Sequence, residues 1–131
     1  LAKDVKLPIV VSNDIESVAK AKDLIKTLSA LGLADDLARA GSTHKVRSGT
    51  ARRRGRSARV GTSALVVVGN DAKALAIKSI PGVEVKTARE ISVLDLAPGS
   101  KPIRLAVFSQ NAIEQLKDVK APMHKVMEMV R

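Results

Sequence analysis

From Ser42 to Thr62 the chain reads Ser-Thr-His-Lys-Val-Arg-Ser-Gly-Thr-Ala-Arg-Arg-Arg-Gly-Arg-Ser-Ala-Arg-Val-Gly-Thr, with seven cations (Lys45, Arg47, Arg52, Arg53, Arg54, Arg56, Arg59) and no acid. Six of the seven are arginine. The planar guanidinium makes bidentate, charge-assisted hydrogen bonds to phosphate that an ammonium point charge does not, so this composition favours phosphate recognition over mere solubility. Small side chains and the glycines Gly49, Gly55 and Gly61 offer little to bury, which predicts an exposed, permissive loop rather than a packed element. The expected ligand is a polyanion. Because its charges repel one another, Thr43 to Arg59 is expected to be mobile alone and to order on that ligand. The plainer reading is a solvated basic loop that binds nothing.

Other groups able to do chemistry are few and scattered. Asn13-Asp14, Asn70-Asp71 and Ser109-Gln110-Asn111 each follow an apolar run, and an enzyme would gather such strand ends as metal or nucleotide ligands. Each pair also reads, more simply, as a helix cap. No Gly-rich phosphate fingerprint follows a predicted strand, and Gly61-Thr62-Ser63 precedes one where a P-loop would follow it. His44 and His124 have no companions at metal-ligand spacing. The expectation is therefore a non-enzyme with no cofactor, no metal and no small-molecule substrate. Phe108 is the single aromatic residue, so base stacking on aromatic platforms is unavailable, and recognition must run through phosphate, sugar and shape.

The chain has 131 residues, a formal net charge of +10 and a pI of about 10.3, a length that fits one domain with its own core. The charge is concentrated. Leu37 to Asn70 holds eight basic residues and no acid, leaving 15 basic against 13 acidic elsewhere, which makes a positive patch on a nearly neutral body. Cysteine is absent, which excludes a disulfide scaffold. No apolar run approaches a membrane span and no secretory h-region opens the chain, so a soluble, intracellular protein is expected.

The elements that would hold the basic stretch alternate in type. Leu7 to Val11, Ala64 to Val68, Val83 to Lys86 and Ile103 to Phe108 read as strands, the second as a central one. Asn13 with Glu16 resembles a capping box for a helix running from Ile15 to Gly32, followed by a shorter helix, Ala34 to Ala40. Asp71 to Ser79 is helical by propensity, Thr87 with Glu90 suggests a cap for a helix to Leu94, and Asn111 to Lys117 forms the last helix of the body. This order predicts an α/β fold, a largely parallel four-stranded sheet with helices on both faces and one long basic loop inserted between helix and strand. Residues 1–117 would form the body, with the loop at 42–62. Residues 118–131 form a tail in which Val126, Met127 and Val130 suggest an amphipathic end. The insertion enters the sheet at a strand's N-terminal side, away from the usual ligand crevice.

The run Arg47-Ser48-Gly49-Thr50-Ala51-Arg52-Arg53-Arg54-Gly55-Arg56, then Ala64 to Val68, Ile80-Pro81-Gly82-Val83, Leu96-Ala97-Pro98-Gly99 and Arg104 resembles, in order and spacing, the archaeal and eukaryotic type of ribosomal protein four of the large subunit. Leu7 to Ser17 and the helix ending Leu31-Gly32 agree with the start of that family's globular domain, and Pro122-Met123-His124-Lys125 is similar to a stretch of its eukaryotic C-terminal extension. Where the family usually reads Arg-Ala-Gly-Lys-Gly-Lys-Met-Arg, this chain has Thr50, Ala51 and Arg53 in place of Lys, Gly and Met. The family's long N-terminal region, with its tunnel-wall loop, has no counterpart before Leu1, so the resemblance covers the globular half.

What the resemblance implies is a non-catalytic constituent of the large subunit, in the cytoplasm on the ribosome. Its partners would be large-subunit ribosomal RNA, bound by the seven loop cations, and neighbouring ribosomal proteins reached through the tail. Lys101 and Arg104 resemble the family's second basic contact, and His124 with Lys125 in the tail would add a third. A non-ribosomal or regulatory RNA-binding module on the same fold, and a small α/β enzyme using the strand ends, are the alternatives.

Overall fold

Leu65-Val66-Val67-Val68 is β4, and all four side chains are fully buried, as a strand covered on both faces requires. In a computed structural model, which describes residues 7–101 and 104–119, β4 lies inside a four-stranded sheet of order β1-β6-β4-β5, with β1 Ile9–Val11, β5 Glu84–Thr87 and β6 Ala106–Ser109. Every pairing in it is parallel. Successive residues of β4 point to opposite faces. Val66 and Val68 join Leu24, Leu28, Leu33 and Ile77 on one side, while Leu65 and Val67 meet Ala112, Phe108 and Leu116 on the other. The expected α/β class and the central place of this strand are both observed.

The helices differ from expectation in instructive ways. The long first helix is divided into α1 Asp14–Ser17 and α2 Ala21–Leu28, because Val18 is extended (φ −67°, ψ 119°). The break lets α1 stay at the strand ends, where Glu16 is held, while α2 lays Leu24 and Leu28 on the sheet. A wide turn, Ser29–Leu33, with Gly32 at φ 82°, leads into α3 Ala34–Ser42. Asp71 to Ser79 is helical only as a 3-10 turn at Lys73–Ala76, since burying Ala72, Ala74 and Ile77 together does not match a helical face. Thr87 ends β5 rather than capping a helix. The capping box lies five residues on, at Ser92 and Asp95, opening α5 Val93–Leu96. The last helix, α6 Gln110–Leu116, is close to its expected span.

Candidate nucleic-acid interface

The basic stretch is exposed as expected, but it is not irregular. Lys45–Val46 (β2) and Ala58–Arg59 (β3) form an antiparallel ladder, which the Arg47 amide extends by donating to the Ser57 carbonyl at 2.8 Å. Between the strands, Gly49–Arg53 forms a short helix, α4, with no buried residue. Gly55, at φ 75°, ends it. The Arg56 amide donates to the Ala51 carbonyl and the Gly55 amide to Arg52, the paired bonds of a Schellman motif. Arg52, Arg53 and Arg54 thus sit in consecutive positions at the helix end and fan out at about 100° intervals. Their charge is also favourable beside the negative end of the helix dipole.

The register places Lys45 directly across from Arg59, a like-charge pair that weakens a two-stranded ladder. Among the described residues, the ion pairs are Lys26–Asp23, Arg39–Asp36, Lys86–Asp95 and Arg104–Glu84. None engages any of the seven hairpin cations. Arg47 is half-buried and the other six are exposed. His44 lies in a cleft of about 420 Å³ between the hairpin base and the Lys78–Gly82 turn.

A cluster with no local signature in the sequence joins this hairpin to the body. The Gly61 amide donates to Thr43 Oγ1 at 2.9 Å, and that hydroxyl donates to the Ala40 carbonyl at 2.8 Å. Arg39 Nη2 reaches both Asp36, at 2.6 Å, and the Thr62 carbonyl, at 2.8 Å. Ser63 Oγ donates to the other Asp36 oxygen at 2.5 Å, and its amide donates to the Gly82 carbonyl at 2.8 Å. Burial pushes the Asp36 carboxyl up, but the Ser63 and Arg39 bonds outweigh it and hold the group below its usual range. Gly82 is required twice over: its φ is 78°, and a Cβ there would collide with the Gly61 carbonyl.

Arg104 requires a correction. Expected as a nucleic-acid contact, its side chain is only 4% exposed, with Nε and Nη1 bonded inside the fold and Nη2 buried without a partner among the described residues. Nη1 donates to Glu84 at 2.8 Å and to the Asp95 carbonyl at 3.1 Å, and Nε donates to the Ser63 carbonyl at 3.1 Å. The physical reason is topological: three chain segments with free acceptors converge at the start of β4, and one planar cation satisfies them together. Lys101 is exposed beside the Pro98–Ser100 turn. His124 and Lys125 lie outside the described residues.

At the opposite end of the sheet, three of the strand-end polar residues that an enzyme would use, Asn13, Ser109 and Asn111, are bonded to one another or to Glu16. Glu16 accepts from the Ser109 hydroxyl at 2.5 Å, the Gly69 amide at 2.9 Å and the Asn111 side chain at 3.2 Å. Asn13, expected to cap its own helix, accepts instead from the Asn111 amide at the start of α6. Ser109 does act as a cap, for α6. Burial raises the Glu16 carboxyl, but its three donors hold it lower still. Among the described residues no group of three His, Cys, Asp or Glu side chains could hold a metal. No helix there is long and apolar enough to cross a membrane.

Comparison with known proteins bears on both ends. The sequence profile of the Ribosomal protein L4/L1 family matches residues 1–119. The "Large ribosomal subunit protein uL4" of Methanocaldococcus jannaschii is 41% identical over 113 residues, covering 86% of this chain and 45% of the relative. Its namesake in Halobacterium salinarum is 40% identical over 114 residues, with 86% and 46% covered, and that of Thermoplasma acidophilum is 39% identical over 114, with 87% and 45% covered. The chain spans about half the length of these relatives. All are named as ribosomal proteins, which agrees with the expectation that the chain is not an enzyme.

Proposed function

Because the chain belongs to the Ribosomal protein L4/L1 family, we propose that it is a structural component of the large ribosomal subunit that binds ribosomal RNA through the hairpin of residues 42–62. The observation that carries this reading is the arrangement of charge: Lys45 faces Arg59 across the ladder, and no described carboxylate pairs with any of the seven cations. A hairpin of this size is marginal alone. It carries a repulsion that an external polyanion relieves. The fanned Arg52, Arg53 and Arg54 suit phosphates on an irregular surface, so the contacts position the protein and read little base sequence. Lys101 adds an accessory cation, His124 with Lys125 a further contact, and residues 118–131 meet neighbouring ribosomal proteins. The site of action is the cytoplasmic ribosome.

Binding of the chain to deproteinised large-subunit RNA over a series of salt concentrations tests this. With about five to seven phosphates neutralised, log affinity falls linearly with log salt at a slope of roughly −4 to −6. A salt-independent affinity overturns the reading. Co-sedimentation with large subunits in high salt separates the ribosomal partner from other RNAs.

A further inference from the structure

The hairpin has little cohesion of its own. Its ladder is two residues deep on each side, its helix buries nothing, and all four ladder residues are exposed. Its direction relative to the sheet is therefore set where it joins the body. There the chain leaves α3 at Ser42 and returns through Gly61, Thr62 and Ser63 to β4, and each of these last three residues is bonded back to α3 or its end. Thr43 ties Gly61 to Ala40, and Asp36 ties Ser63 directly and Thr62 by way of Arg39. The Pro81-Gly82 turn closes the third side, with the Gly82 carbonyl on the Ser63 amide.

We infer that Thr43 and Asp36 are positioning residues that fix the basic hairpin in the orientation in which it meets RNA, a role resting on the RNA-binding reading above. Neither touches phosphate. They act by keeping the binding-competent orientation populated, since apparent affinity falls in proportion to the fraction of competent molecules. The electrostatic expectation for Asp36 has the opposite sign. Removing a negative charge beside a cationic hairpin strengthens its attraction to a polyanion, so a loss of affinity on that removal is the mark of positioning. Arg39, neutralised by Asp36 and bound to Thr62, belongs to the same clasp rather than to the contact surface.

The test uses the whole 131-residue chain and deproteinised large-subunit ribosomal RNA, titrated at several salt concentrations. Thr43→Val removes both hydroxyl bonds, Thr43→Ser keeps them, and Asp36→Ala removes the carboxylate. Gly61→Ala pushes a methyl against the Thr43 hydroxyl without altering charge. The expected result is a loss of about five- to tenfold in affinity for Thr43→Val, Asp36→Ala and Gly61→Ala at every salt concentration, with the parent's slope, because the phosphate contacts are intact. Thr43→Ser binds like the parent. Amide protection of β4 reports the fold, and Gly61→Ala carries the test if either of the other two loses that protection. Asp36→Ala binding as tightly as the parent or more tightly, or Thr43→Val and Thr43→Ser binding alike, overturns the clasp and leaves RNA binding standing. A parent with no salt dependence overturns the RNA-binding reading itself and the clasp with it.

Discussion

Glu16 and Ser109, 93 positions apart in sequence, share a hydrogen bond of 2.5 Å at the C-terminal edge of the sheet. The same carboxylate takes the Gly69 amide, so one side chain of α1 joins the ends of β4 and β6. This is the crevice in which open α/β sheets usually bind ligands. Here Asn13, Glu16, Ser109 and Asn111 are bonded among themselves. The proposed RNA-binding hairpin lies at the opposite edge, where it precedes β4.

Glu16→Ala leaves a buried hydroxyl and two N–H donors without their acceptor, which costs about 2–4 kcal/mol of stability. Urea unfolding should show this loss. The salt slope of RNA binding by the folded fraction should not change, because the hairpin is at the other edge.

Acid sensitivity follows from three depressed carboxyls. The Lys86 ammonium, bonded to Asp95 at 2.6 Å, together with the Ser92 bonds, lowers the Asp95 carboxyl to about 2. Glu16 and Asp36 are shifted in the same direction. A carboxyl lower in the folded than in the unfolded chain contributes stability above its unfolded value and loses it as pH falls through the folded one. For Asp95 that window runs from the usual aspartate range down to about 2, and the contribution is at most about 2 kcal/mol. Unfolding free energy measured from neutral pH into this window should fall, and Asp95→Asn should start lower and fall less steeply.

Arg104→Ala should act on folding rather than on binding. It leaves the Ser63 and Asp95 carbonyls without their donor, while the exposed Glu84 carboxylate stays solvated, a loss of about 1–3 kcal/mol. The RNA slope stays that of the parent. Lys101→Glu, at an exposed position, should leave the unfolding midpoint unchanged and weaken RNA binding modestly.

Much of the fold was legible because the apolar runs are unambiguous: Ala64 to Val68 can only be a doubly covered strand, and the alternation of elements around it fixes a parallel sheet. What was not legible depended on partners distant in sequence. Asn13 and Glu16 carry the local signature of a capping box, yet both are taken by residues near Ser109, and no local pattern distinguishes those outcomes. Ser92 and Asp95 do carry a local signature, three residues apart, and Thr87 with Glu90 competes with it in the same few residues. In the basic stretch the cations were plain, but the short helix ending at Gly55 was not, since the small residues and glycines there read as an irregular loop. The like-charge register of Lys45 and Arg59 needed the pairing itself. Arg104 and the Asp36 clasp were illegible for the same reason: their acceptors are backbone carbonyls and side chains brought together only by the sheet.

Whether the hairpin cations neutralise RNA phosphates is decided by Arg52→Ala, Arg53→Ala and Arg54→Ala combined in one chain. The salt dependence of binding to large-subunit RNA should flatten, its slope falling in magnitude by about 2 to 3. Affinity should drop for unrelated RNA sequences alike, while the unfolding midpoint is retained, since α4 buries no side chain. A triple variant that keeps the parent's slope would mean that these arginines do not meet phosphate and that the RNA site lies elsewhere on the body.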